Sequence, residues 1–159
     1  MPPAIIRRDL LRITGLSGDG RHTGDLWHRF DKAWNDHPWS RVDECGYEIR
    51  FYCKNRPVPA GRDVHVGFAS RDAGAAPEME TVALPASEYA VFEVRVAEGY
   101  DSQNKAMDDW LAANPQGYRA RLLDGVGYVV ECYGDKFKDG SQPDSRVDIW
   151  VPVIQAEKS

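Results

Sequence analysis

The sequence predicts an α+β fold built from duplicated β-α-β-β units, whose strands form an antiparallel sheet or barrel carrying two helices and a central ligand groove. Three observations predict it. Two segments carry apolar residues at helical spacing, strand patterns flank each of them, and the second half of the chain repeats the plan of the first. GYEIRFYCKN, starting at Gly46, lies over GYVVECYGDK, starting at Gly127, and DVHVGFAS, starting at Asp63, lies over RVDIWVPV, starting at Arg146. The expected organisation is a single domain over residues 1–159, with repeat halves at about 8–70 and 78–154.

Each element follows from local pattern. Leu10 to Leu16 is β-friendly and is broken by the glycine-rich SGDGRHTG. Leu26, Trp27, Phe30, Ala33 and Trp34 then recur on one face of a helix, with Thr23 suited to cap it, Asp25 to its first turn, and Pro38 to end it. GYEIRFYC and DVHVGFAS read as a hairpin joined by the turn cluster KNRPVPAG. RDAGAAPEME reads as the link between halves. TVALP and YAVFEVRV are strands, and a helix from about Gln103 to Ala113, capped by Ser102, has Ala106, Met107, Trp110, Leu111 and Ala113 as its apolar face. Asn114-Pro115 stops it, NPQGYRARLLDG is a connection, and GVGYVVECYG and RVDIWVPV close the chain as strands. The helical aromatics are expected to be core, some of them edging a pocket.

Composition narrows the function. Hydrophobic residues make up 42% and charged residues 28%, the balance of a globular chain. A net charge of −5 gives no electrostatic footprint for phosphate, so direct nucleic-acid binding is not expected. No apolar run is long enough to span a bilayer, and MPPAIIRRDLL has no signal-peptide character, so a cytoplasmic protein without membrane contact is expected. Three cysteines do not make a disulfide scaffold, and the four histidines have no ligand spacing, so neither metal nor cofactor is expected.

Glu131 interrupts an apolar strand. Alternation puts Val129, Glu131 and Tyr133 on one face, and Asp148 and Trp150 share a face of the last strand. If the two strands pair as a hairpin, Glu131, Tyr133, Asp148 and Trp150 line one surface. Tyr52 is the repeat counterpart of Tyr133 and is a further candidate for the same groove, while Arg50 stands where Glu131 stands in the second half.

Several motifs carry a family resemblance. Glu78-Met79-Glu80 leads to Pro85 and Tyr89-Ala90-Val91-Phe92. The helix with Trp110-Leu111 follows, then Val130-Glu131-Cys132-Tyr133-Gly134-Asp135-Lys136-Phe137, and finally Val147-Asp148-Ile149-Trp150-Val151-Pro152-Val153. In this order, with Leu26-Trp27 and Phe30 on the first helix, they resemble the GyrI-like effector-binding domains of AraC- and MerR-type multidrug regulators and of free-standing drug-binding proteins. The resemblance implies a duplicated β-α-β-β fold and lipophilic, often cationic, aromatic ligands, with Glu131, Asp148 and Trp150 at the positions facing the ligand. It implies a sensor or sequestering module linked to transcription regulation. Its alternatives are a hydrolase of reactive cyclopropane-containing genotoxins and a gyrase-inhibitor-like factor with a protein partner. The regulators carry a separate helix-turn-helix domain, for which this chain has no spare length.

Overall fold

A computed structural model describes residues 3–52, 62–71, 79–113, 117–134, 137 and 144–155. In chain order the strands and helices are β1 (Ala4–Arg8), β2 (Leu11–Gly18), α1 (Thr23–Asp36), β3 (Gly46–Tyr52), β4 (Val64–Ser70), β5 (Glu80–Leu84), β6 (Ser87–Arg95), α2 (Asp101–Ala113), β7 (Tyr118–Ala120), β8 (Leu122–Leu123), β9 (Val126–Tyr133) and β10 (Arg146–Gln155). The two β-α-β-β units are thus β2-α1-β3-β4 and β6-α2-β9-β10. All ten strands join one antiparallel sheet in the order β1-β6-β10-β9-β3-β4-β2-β5, with β7 and β8 added to β10 and β9.

The seam between the halves is the β3–β9 pair. Its register sets Ile49 opposite Val130, Glu48 opposite Glu131 and Arg50 opposite Val129. Ile49 and Val130 are also repeat counterparts, so the axis relating the halves runs through this pair. The leading strands are exchanged between units. β1, which precedes the first unit, pairs with β6 of the second, and β5, which precedes the second, pairs with β2 of the first.

The two sheet faces bury different things. On one face, Leu84 of β5 and Ile6 of β1 pack in the same cluster as Ile49 and Val130 from the centre, together with Tyr47, Tyr89, Tyr128 and Trp150. Residues from both edges and the centre meet only because the sheet curls around them. The other face carries the helices. α1 sets Leu26 and Phe30 against Val64 and Val66, and α2 sets Met107, Trp110 and Leu111 against Phe92, Ile149 and Val151. Because α1 lies over β2 and β4 and α2 over β6 and β7, the central strands β3 and β9 form the floor of a cleft between the helices.

Several boundaries depart from expectation. Thr23 is the first helical residue of α1 and not its cap. His22 holds the cap position without a side-chain bond, and the Asp19 carboxylate instead accepts from the Arg21 N–H of the preceding 3-10 turn. The Thr23 hydroxyl donates to the Gly20 carbonyl at 2.9 Å. α2 begins two residues early, at Asp101, which puts Ser102 in its first turn; the Ser102 side chain, Asn114-Pro115, the turn cluster KNRPVPAG and most of the link RDAGAAPEME lie outside the described residues. The stretch read as a connection contains β7 and β8. β8 forms a hairpin with β9 through Asp124-Gly125, whose φ angles of 51° and 80° give the two left-handed residues of a tight two-residue turn.

The approach of β2 to β4 depends on two facing glycines. Gly15 pairs with Gly67. A Cβ at Gly15 would lie 1.8 Å from the Val66 carbonyl oxygen, and one at Gly67 would lie 2.1 Å from that of Thr14. Both obstacles are backbone, so relief requires separating the strands. Gly15→Ala is expected to destabilise by about 3 kcal/mol or more, the upper part of the range for point substitutions, as measured by urea denaturation. Gly24→Ala, in the first turn of α1, whose Cβ would meet nothing within 4 Å, serves as the comparison and is expected to be neutral or stabilising by up to about 1 kcal/mol.

Candidate functional site

The cleft between the helices encloses about 730 Å³, within the range of small-molecule sites. Thr23, Trp27 and Asp31 come from α1 and Asn104 and Met107 from α2; Tyr100, which precedes α2, and Phe137, which follows β9, complete the rim. The floor is Gly46, Glu48 and Arg50 of β3, Val129, Glu131 and Tyr133 of β9, and Ile149 of β10.

Two carboxylates face each other at its base. Glu48 is 1% exposed and Glu131 5%, and the antiparallel register places them directly opposite on one face. Burial of two neighbouring carboxylates is costly unless they find partners. Arg50 supplies most of the compensation. Its Nε–H is shared between Glu48 Oε2 at 2.8 Å and Glu131 Oε2 at 2.7 Å, and Nη2 donates to Thr23 Oγ1 at 3.2 Å. The remaining oxygens are taken by aromatic donors. Trp27 Nε1 donates to Glu48 Oε1 at 2.8 Å, and the Tyr133 hydroxyl donates to Glu131 Oε1 at 3.2 Å. Thr23, expected at a helix cap, is instead part of this network.

Burial, then the charge of Glu48 beside it, pushes the Glu131 carboxyl up to about 8, against the opposing pull of Arg50. Burial and the two carboxylates also raise the Tyr133 phenol, so it stays a hydrogen-bond donor. Arg50 feels burial working to lower it, but the two carboxylates prevail and hold it protonated. With Glu48 and Glu131 both ionised, the trio keeps one negative charge, and near neutrality a proton on Glu131 cancels it.

Aromatic rings wall the cleft above this base. Trp27 meets Tyr133 edge-on at 6.0 Å, and Tyr133 meets Phe137 edge-on at 4.8 Å. Apolar Val129, Met107 and Ile149 add to the lining. The surface therefore offers apolar area, π faces and, at its buried base, the charge of the Glu48–Glu131–Arg50 trio, with Asp31 exposed on α1.

The residues singled out in the sequence fall in different places. Glu131 and Tyr133 lie in the cleft together. Asp148 and Trp150 do not share their face, which corrects the expected common surface. β10 pairs with β9 so that Ile149 opposes Glu131, while Asp148 opposes Cys132 and Trp150 opposes Val130. Opposed residues share a face, so Ile149 enters the cleft. Trp150 packs on the far side of the sheet against Tyr47 and Tyr89, under the Arg8 guanidinium at 5.0 Å. Tyr52 is on the cleft side of β3 by alternation but lies at the strand end, 38% exposed and stacked over Gly127, away from the lining. Glu48 was not singled out. Its signal was a charged residue between Tyr47 and Ile49, two positions from Arg50 and so on the same strand face.

Elsewhere, the one deeply buried histidine is satisfied structurally. His65 Nε2 donates to the Ile13 carbonyl at 2.9 Å, and Nδ1 therefore accepts from the Ser17 hydroxyl at 2.9 Å. Among the described residues no cluster of His, Cys, Asp and Glu is arranged to hold a metal, and no helix is long and apolar enough to cross a membrane.

A buried carboxylate pair beneath an aromatic cleft, at the seam of a duplicated β-α-β-β sheet, defines a small-molecule binding domain. Residues 13–153 match the Cass2 family of integron-associated effector binding proteins, and the chain belongs to that family. It is 26% identical over 164 residues to the transcriptional regulator BrlR of Pseudomonas aeruginosa, a match that covers 96% of this chain but 56% of BrlR; the chain thus spans little more than half the length of that relative. The fold is shared with SAV2435, solved bound to tetraphenylphosphonium, at a TM-score of 0.65 and 16% identity over 97% of this chain and 94% of that one. It is shared also with the EcmrR C-terminal domain, at a TM-score of 0.66 and 12% identity over 96% and 97% of the two chains.

The raised Glu131 carboxyl has a stability consequence. Its folded value of about 8 stands above the ordinary 4.5. The native state therefore binds the proton more tightly than the unfolded one, and stability falls as pH rises from about 4.5 to about 8. The unfolding free energy of the wild type relative to Glu131→Gln is expected to decline across that window, by at most about 1.4 kcal/mol per pH unit. Chemical denaturation of both proteins at pH 5, 6.5 and 8 checks this, and the difference removes the contributions of other groups.

Proposed function

We propose that this domain binds lipophilic aromatic cations in the cleft between α1 and α2, with Glu131 as the residue that reads their charge. The observation that carries the reading is the Glu131 carboxyl, 5% exposed under aromatic walls and held partly protonated near neutrality by burial and by Glu48. A flat or bulky cation meets three needs of this site at once. Its charge replaces the proton on Glu131, its rings bury the apolar lining, and the faces of Trp27, Tyr133 and Phe137 add roughly 0.5–2 kcal/mol each by cation–π attraction. None of these contacts demands one donor geometry, so ligands of different shape fit the same walls. The tetraphenylphosphonium bound by SAV2435 is a ligand of this kind.

The regulator BrlR and the EcmrR–DNA complex support a link to transcription regulation, this domain supplying the ligand-sensing part. A chain of net charge −5 is poorly suited to hold DNA itself, so contact with DNA falls to another segment or a partner. A cytoplasmic site of action fits a sensor of that kind.

Titration of the intrinsic tryptophan fluorescence, to which Trp27 in the cleft contributes, with tetraphenylphosphonium and with neutral tetraphenylmethane tests the reading. Glu131→Gln is expected to weaken the cation by about 1.5 kcal/mol or more, the scale of a contact to a charged group, and to leave the neutral compound unchanged. Equal losses for both compounds, or no loss, would sink it. Because the cation displaces a proton, its affinity for the wild type is expected to rise with pH by up to about tenfold per unit towards pH 8 and then level off.

A further inference from the structure

We propose that Arg50 is a specificity-determining residue of the cleft, fixing at one the number of positive charges its ligand carries. The inference rests on the cation-binding reading above and adds the charge class of the ligand to it.

The cleft floor holds two buried carboxylates and, among the described lining residues, a single cationic side chain. Asp31, the other acidic lining residue, is exposed on α1, where solvent screens it. The charge balance of the interior is therefore that of Glu48, Glu131 and Arg50. Arg50 reaches both carboxylates through one Nε–H, at 2.8 and 2.7 Å. Its far end is tied to Thr23 Oγ1 and sits close to Gly20, whose Cβ would lie 3.4 Å from Nη1. Rooted in β3 of the floor, the guanidinium is thus braced against the start of α1, while its side chain is 40% exposed. Braced in this way, it stays in the cleft as a permanent positive charge, and one negative charge is left for the ligand to match.

Charge matching is selective because the carboxylates are dry. A buried charge without a partner is costly, so a dication brings one charge too many, while a neutral ligand leaves the site to be neutralised by a proton. Removing Arg50 raises the deficit to two and moves the preference to dications. Substituting Glu48 lowers it to zero and moves the preference to neutral ligands.

Isothermal titration calorimetry with two compounds of one shape decides the matter: dibenzyl bipyridinium, which is doubly charged, and benzyl(benzylphenyl)pyridinium, which is singly charged. The ratio of their dissociation constants is the readout. Arg50→Gln is expected to shift that ratio towards the dication by roughly tenfold or more, and Arg50→Lys to keep it within about threefold of the wild type, a tenfold change being about 1.4 kcal/mol. An unchanged ratio in Arg50→Gln, with both compounds still bound, overturns the role of Arg50 and leaves the cation-binding reading standing. Failure of the wild type to bind either compound overturns both. If circular dichroism shows that Arg50→Gln does not fold, Glu48→Gln carries the test. It is expected to shift preference from the monocation to the uncharged dibenzyl biphenyl by roughly tenfold or more, and an unchanged preference overturns the inference.

Discussion

The cleft depends on one pairing, Glu48 against Glu131 across the β3–β9 seam. Strand register leaves neither carboxylate free to turn away, because opposed residues of an antiparallel pair share a face. Everything around the pair serves to make it tolerable. Arg50 bridges it, Trp27 and Tyr133 each take an oxygen, and Thr23 at the start of α1 steadies the arginine. Helix α1 is consequently attached to the sheet at the cleft by polar bonds as well as by Leu26 and Phe30. Occupancy of the cleft therefore acts on the same bonds that fix the helix over the sheet.

Much of the fold was legible because its signals are local. Alternation marked β2, β3, β4, β6, β9 and β10, helical spacing marked α1 and α2, and the repeat marked the plan of the whole. The elements that escaped lacked such signals or had weak ones. β1 and β7 are short edge additions whose partners are distant in sequence. β8 carried an Asp-Gly turn signal, but two residues are too few to show a period. The exchange of leading strands between units is a tertiary choice on which local pattern is silent.

The site was legible residue by residue but not as an assembly. Glu131 stood out as a charge in an apolar strand, and Tyr133 followed by alternation. Asp148 and Trp150 were assigned to the same surface by assuming a register for β9 and β10. Parity within a strand is certain; parity between strands turns on the register, and a shift of one residue exchanges Asp148 and Trp150 for Ile149. Glu48 was hidden for a related reason. Its partner lies 83 positions away on a strand of the other unit, and nothing near residue 48 announces that pairing.

The position of the axis through Ile49 and Val130 has an arithmetic consequence. Were the two halves identical chains related by that axis, each charge in the cleft would occur twice, and the site could carry only an even total. Here the repeat counterparts differ: Glu48 corresponds to Val129, and Arg50 to Glu131. Joining unequal halves in one polypeptide is what permits an odd total, and a monovalent guest needs a host whose charge is odd.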